Sequence, residues 1–416
     1  MTAFDLLAEL SDVGRARGGG YTRLAWSPVD LRLREWFAAQ AAQRGMDVVV
    51  DRAGNQWAWW GDPDSGGPGV VTGSHLDSVP GGGPFDGPLG VASGFAAVDA
   101  LRASGFVPGK PIGVVCFSDE EGARFGVACL GSRVLTGATE PDRALGLRAG
   151  DGPSLADALR SAGRPLDGPQ GYGADPEALA RVGTFVELHI EQGRRLTDLS
   201  RVTGVVAPVG VGTGVWPHGR WRVDLPGCAD HAGTTPLALR DDPMLRLADL
   251  IVAARAAAER SGALATVGKV LVEPNSVNAI PSRVIAWLDA RAEAEHQVRA
   301  VLAELERFGP QQESWTPVTL FDTALAARVA AVVGVPVGTG RDRHGAEDAP
   351  PAPAVATGAG HDAGVLSTAG IPTAMLFVRN PTGVSHSPLE HAERADCDAG
   401  GEALTRVLAD LAGPGS

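Results

Sequence analysis

Residues 69–87 read GVVTGSHLDSVPGGGPFDG: an apolar run that ends on His75 and Asp77, a loop of glycine and proline, and a further acid at Asp86. An apolar run without polar alternation is the signature of a strand covered on both faces. In open α/β sheets ligands gather beyond the carboxyl ends of such strands, so His75 and Asp77 stand where a site is expected. Glycine permits backbone conformations closed to other residues. The GGG loop is therefore expected to fold Asp86 back over His75.

The same grammar recurs along the chain. KPIGVVCFSDEEG (110–122) is an apolar run closed by Asp119, Glu120 and Glu121, and FVELHIEQG (185–193) brings Glu187, His189, Glu191 and Gln192. AMLFV (374–378) reads as another buried strand, and GVSHSP (383–388) after it holds His386. If these strands share one sheet, their terminal His and acid side chains converge at one edge. Imidazole with carboxylate and no thiolate suits Zn, Mn, Co or Ni. Two such ions, about 3.5–4 Å apart, need a bridging group as well as terminal ligands, and Asp86 is free to bridge. Asp77, two residues past His75, is expected to orient its imidazole. Glu120 and Glu121 are adjacent and must point apart, so one can bind metal while the other acts as general base. Each motif alone has a plainer reading: a strand coincidence, a solvated acidic turn, a hydrogen-bonded histidine. Their order and strand-end placement together favour the site.

Flanking segments supply the frame. SPVDLRLREWFAAQAAQRG (27–45) has a Ser cap, Pro in the first turn and a terminal Gly, which predicts a helix. MDVVVDRAGNQWAWWG (46–61) predicts a strand pair turning at Ala53-Gly54-Asn55. From about residue 209 the pattern changes. GRWRVDLPG alternates, with Trp221, Val223 and Leu225 opposite Arg220, Arg222 and Asp224. Helices are predicted in DDPMLRLADLIVAARAAAER, capped by Asp242, and in EHQVRAVLAELERF, with Val298, Val301, Leu302 and Leu305 on one stripe; SRVIAWLDARA is a strand. The expected fold is α/β: a discontinuous catalytic domain (1–208 and 317–416) with an inserted α+β sandwich (209–316). The polar, Pro-rich stretch 341–354 reads as a surface loop.

With 36 basic against 49 acidic residues, net charge −13, the chain lacks the basic surface that nucleic acid or an anionic membrane needs. No run of about 18 apolar residues predicts a membrane span, and the acidic start MTAFDLLAELSD does not read as a signal peptide. Cys116, Cys129, Cys228 and Cys397 form no CxxC, so neither a disulfide framework nor a thiolate zinc site is expected. A cytoplasmic protein is the expectation.

In order, HLDSVPGGGPFDGPLGV, FSDEEGARFG, ELHIEQG, ADHAGTTP, EPNSVNAIPS, TGAGHDAG and SHSP resemble the metal-dependent amidohydrolases that act on N-carbamoyl groups: allantoate amidohydrolases, N-carbamoyl-L-amino acid hydrolases and β-ureidopropionases, which share the fold of the M20 metallopeptidases. The resemblance runs from about residue 20 to about residue 395. It implies two divalent ions held by His75, Asp86, Glu121, His189 and His386 with Asp86 bridging, Glu120 as general base, and His231 as a donor to the developing oxyanion. It further implies Gln192 and His361 as substrate contacts, Asn278 and Arg291 as the grip on a substrate carboxylate, and a homodimer formed through the inserted domain, which also serves as a lid. Arg291 and Asp289 share a strand face, and a guanidinium offers the fork that a carboxylate needs. After AMLFV the family continues with Pro-Ser, whereas this chain has Arg379-Asn380-Pro381-Thr382; that departure marks Arg379 and Asn380 as candidate substrate contacts. The substrate is expected to be allantoate or an N-carbamoyl-L-amino acid. The alternatives are a related C–N group such as N-formimino-L-glutamate, an M20 peptidase or aminoacylase substrate, and a noncatalytic metal-bound binding protein.

Overall fold

The computed structural model describes residues 1–150, 152–334 and 352–415. It divides into two compact units, Met1–Thr213 with Leu320–Val355 and Gly360–Ser416, and Gly214–Thr319 with Ala356–Ala359.

The first unit is built on a sheet whose central strands are the apolar runs. Gly69–His75 pairs parallel with Ile112–Phe117 on one side and with Val182–Ile190 on the other. Thr373–Val378 joins parallel to Val182–Ile190. All positions of Gly69–His75, Ile112–Phe117 and Thr373–Val378 are buried, as expected for strands sandwiched between layers. The strand pair predicted around Gly54 is present, Asp47–Val50 against Gln56–Trp60, and it extends the sheet antiparallel to Ile112–Phe117.

Helices supply the cover. Pro28–Gln43 starts where its Ser27 hydroxyl accepts from Asp30 N, with Pro28 at the first turn. Pro88–Ala103 follows directly on the Asp86 loop, and Arg394–Ala412 closes the chain. Their apolar faces, including Leu33, Phe37, Leu89, Phe95, Val98, Leu404 and Leu408, form one core with the sheet residues Val70, Val114, Val186 and Leu376. Burying each of these larger side chains contributes about 1.5–3 kcal/mol.

The second unit has a four-stranded antiparallel sheet in the order Gln311–Thr316, His218–Pro226, Arg283–Arg291, Leu264–Glu273. One face is covered by helices Pro243–Ser261 and Glu295–Leu305, with Trp221, Val223, Leu225, Val298, Val301 and Leu305 inside. The alternation read in GRWRVDLPG is this face against its polar opposite. Most of the loop expected over 341–354 lies outside the described residues. Its last residue, Ala354, instead opens the strand Ala354–Thr357. Among the described residues no helix is long and apolar enough to cross a membrane.

Candidate active site

Parallel pairing puts the reactive residues side by side. His75 ends its strand opposite Phe117, so Asp119, Glu120 and Glu121 follow at the same edge. The register Gly73↔Glu187 sets His189 beside His75, their rings 6.0 Å apart. Phe377 pairs with His189, so the chain leaving that strand enters the segment that carries His386.

The glycine loop does fold Asp86 back, and it is tied rather than loose. Gly82 and Tyr21 exchange two backbone hydrogen bonds. The Phe85 and Asp86 amides both donate to Glu390 Oε2, at 2.8 and 3.1 Å. Gly87, at φ +86°, lies against the His75 ring; a Cβ there would overlap the imidazole. Glycine is therefore required at this position for two reasons, its left-handed backbone and the space it leaves.

Asp86 ends up at the centre. Its Oδ1 stands 3.2 Å from His189 Nε2 and 3.7 Å from His75 Nε2. Its Oδ2 stands 3.5 Å from His386 Nε2, which lies 3.3 Å from Glu121 Oε2. One carboxylate oxygen thus faces each of two groups, His75–Asp86–His189 and Asp86–Glu121–His386, and the ligand atoms within each group lie within 4.8 Å of one another. His75 Nε2 and His189 Nε2 are buried and have no hydrogen-bond partner. Their other nitrogens are held by carbonyls, His75 Nδ1 by Asp77 O at 3.1 Å and His189 Nδ1 by Ile190 O at 2.8 Å. That combination leaves each Nε2 free to bind a cation, so the donor set fits a divalent metal.

Asp77 does more than orient His75. Its carboxylate also accepts from the Glu120 and Glu121 amides at 3.2 and 3.1 Å. Asp119 adopts a left-handed φ of +54°, and the two following acids point apart: Glu120 Oε2 toward His75 Nε2 at 3.6 Å, Glu121 toward His386. His386 itself sits at φ +54°, a conformation that non-glycine residues hold only where surrounding structure enforces it.

The electrostatics are those of a buried charge cluster. Burial alone would lower the His75 imidazole, but Glu120 and the aspartates around it raise it well above its ordinary value. Burial would raise Asp86, yet the His189 and His75 imidazoles facing it hold it well below the usual carboxylate range. Glu120 is pushed well up, first by burial and then by Asp362 and Glu121, against the lowering effect of His75. The hydrogen bond to Glu121 takes His386 up to about 9.

Gln192 donates to Asp86 Oδ2 at 2.9 Å, as does Ser385 Oγ at 2.9 Å. His361 packs against His189 with ring centroids 4.5 Å apart, and both of its buried nitrogens are without a hydrogen-bond partner. Glu187 is fixed by Ser74 Oγ and the Ala363 amide, and Glu191 caps the helix Arg195–Thr203 by accepting from Leu196 N.

Arg379 and Asn380 have a different job from the one their departure from the family pattern implied. The Arg379 guanidinium binds Asp396, with Nε 2.9 Å from Oδ2. Asn380 is wholly buried; its Nδ2 donates to Val384 O, and its Oδ1 accepts from Thr382 N, Thr382 Oγ1 and Gly383 N. Its hydrogen-bonding capacity goes into building the turn that leads to His386.

In the second unit, His231 and Asn278 are neighbours. A two-stranded ladder pairs Ala279 with His231, and Ala232 N donates to Asn278 O at 3.0 Å. Arg291 is held by Asp289, Nε to Oδ1 at 2.8 Å and Nη2 to both oxygens at 2.6 Å, and its Nη1 donates to Gly358 O at 2.7 Å.

Glu390 and Cys129 were not singled out from the sequence. Glu390 follows His386 by four residues, which was the available signal; Cys129, whose thiol reaches Glu120, left none.

The family model for peptidase family M20/M25/M40 matches residues 71–410. The N-carbamoyl-L-amino acid amidohydrolase of Geobacillus stearothermophilus is 37% identical over 414 residues, 98% of this chain and 97% of the relative. An allantoate amidohydrolase of Escherichia coli is 30% identical, covering 98% of this chain and 97% of the relative. Among solved structures, a hydantoinase/carbamoylase family amidase from Burkholderia vietnamiensis superimposes with TM-score 0.84 at 30% identity, over 99% of this chain and 96% of the other.

Proposed function

The chain belongs to peptidase family M20/M25/M40, and on that premise we propose that it is a binuclear metal amidohydrolase cleaving a linear ureido or amide C–N bond in a small carboxylate substrate. Allantoate and N-carbamoyl-L-amino acids, the compounds named by the relatives, are the substrate types. The observation that carries the reading is the division of Asp86, with one oxygen facing His75 and His189 and the other facing His386 beside Glu121.

His75, Asp86, Glu121, His189 and His386 would hold two divalent ions, Zn or else Mn, Co or Ni, which would supply Lewis acidity and make a water more acidic. Glu120 Oε2 takes the proton of the attacking water and later hands it to the leaving nitrogen. Asp77 holds both His75 and the Glu120 backbone, so ligand and base keep one spacing. His361 presents a buried, unpartnered nitrogen to the substrate, and Gln192 contacts it from beside Asp86. His231 donates to the developing oxyanion, a contribution typically about 2.7–4 kcal/mol for one donor. Asn278 and Arg291 grip the carboxylate. From an N-carbamoyl amino acid, water adds to the carbamoyl carbon and the products are amino acid, ammonia and carbon dioxide; allantoate gives a ureidoglycine-type product.

With Arg379 paired to Asp396 and Asn380 bonded into a turn, the ureido substrates named by the relatives are the better supported class. Homodimerisation through the second unit is part of the proposal. Its support is the edge strand Leu264–Glu273, which carries exposed Leu264, Val270 and Leu271, and the exposed Leu245 and Val252 on the helix Pro243–Ser261.

The test is ammonia release by metal-loaded protein from allantoate, N-carbamoyl-L-amino acids, N-carbamoyl-β-alanine, N-formimino-L-glutamate and a dipeptide. Turnover of a ureido compound, abolished about 10²–10⁴-fold in Glu120→Gln with metal content unchanged, is expected. Turnover of the dipeptide alone, or an active Glu120→Gln enzyme, would overturn it.

A further inference from the structure

The two oxygens of Glu120 meet different surroundings. Oε2 lies 3.6 Å from His75 Nε2, on the side of the ligand cluster. Oε1 lies 3.4 Å from the Cys129 sulfur. Cys129 is 2% exposed, and burial, reinforced by Glu120 and Asp362, pushes its thiol well above the ordinary range. A buried protonated thiol is inert as a nucleophile and available as a donor.

The backbone is arranged to deliver it. Cys129 N donates to Glu120 O at 2.6 Å, Leu130 N to Asp119 O at 3.0 Å and Gly131 N to Ser118 O at 2.8 Å. Three consecutive amides therefore hold the acidic segment from behind. Cys129 and Asp119 both sit at φ +54°, a left-handed conformation that neither side chain favours and that this mutual bonding enforces. The helix Leu130–Leu135 begins immediately after Cys129, fixing the sulfur relative to the sheet.

We propose that Cys129 is a positioning residue for Glu120: its S–H donates to Oε1, pins the carboxylate against rotation, and leaves Oε2 as the oxygen that accepts the water's proton. The inference rests on the reading of Glu120 as the general base. A carboxylate without this donor can turn about its Cγ–Cδ bond and lose the aim of Oε2, so the loss falls on turnover rather than on substrate binding.

Two measurements decide it. In metal-loaded enzyme, with the panel compound turned over fastest, Cys129→Val should lower kcat about tenfold with KM within about twofold of the native value and metal content unchanged. Cys129→Ser, which keeps a donor, should recover kcat to within about threefold. Native kcat in Cys129→Val, or a serine variant as slow as the valine one, overturns the proposal. Independently of turnover, the infrared S–H band that disappears in Cys129→Ser should lie below the free-thiol frequency and move up in Glu120→Ala; a band already at the free-thiol frequency overturns it as well. Glu120→Gln assayed alongside separates the two levels. An active Glu120→Gln enzyme removes the base reading itself, whereas an inactive one beside native-like Cys129 variants removes only the role given to the thiol.

Discussion

The two sets of site residues are held in opposite ways. In the first unit His75, Asp86, His189 and Glu120 are buried, each side chain is held by at least one hydrogen bond, and the two imidazole nitrogens aimed inward at Asp86 are the ones left without partners. In the second unit His231 and Asn278 are exposed, and Arg291 is half-buried with its side edge already occupied by Asp289. A cluster that must hold cations cannot wait for them to organise it, because gathering like-charged carboxylates costs more than it returns until the ions arrive. Groups that meet a passing substrate gain from accessibility. On the proposed roles, chemistry falls to one unit and recognition to the other, and variants of the two should fail differently.

The largest contrast comes from Asp86→Asn. Loss of the central carboxylate charge should remove both metals and lower kcat about 10⁴-fold or more, measured by metal analysis and ammonia release. A variant that keeps two metals and near-native kcat would break the comparison at its root. Arg291→Lys should do the reverse. Charge is kept but the planar fork is lost, so KM for a carboxylate substrate should rise about 10–100-fold with kcat nearly unchanged and both metals bound. A matching fall in metal content would show that the recognition set is not separable. The smallest effect is expected from Asn380→Ala, which strips four hydrogen bonds from the turn before His386. Stability should fall by about 1–3 kcal/mol in thermal unfolding, with the ranking of substrates unchanged. A reordered ranking would make Asn380 a substrate contact as well as a turn builder.

Much of the first unit could be read in advance because its physics is local. Unbroken apolar runs ending in His75, Glu120 and His189 say buried strand and strand-end site together, and the glycines before Asp86 announce the return of that acid. What could not be read is whatever depends on register between distant segments. Glu390 meets the Asp86 amide across some three hundred residues, and Cys129 meets Glu120 where Cys129 itself and Asp119 are left-handed, which leaves no trace in spacing. Arg379 and Asn380 are a related case: a departure from a family pattern marks a position but does not reveal that one side chain pairs with Asp396 and the other bonds a turn. The four residues Ala356–Ala359 belong with the second unit, although no change of composition marks them.

The proposed pair of metals divided by Asp86 is tested most directly by a titration of metal-stripped protein, with bound metal and ammonia release followed together from about pH 6 to about pH 8. Activity should reach its plateau at two equivalents per chain. Glu121 holds His386 up to about 9, so below that pH an incoming ion must displace a proton from it. The affinity of the second ion should therefore climb roughly tenfold per pH unit across the range and level off only above it. Full activity at a single equivalent, or activity indifferent to metal, would contradict the account.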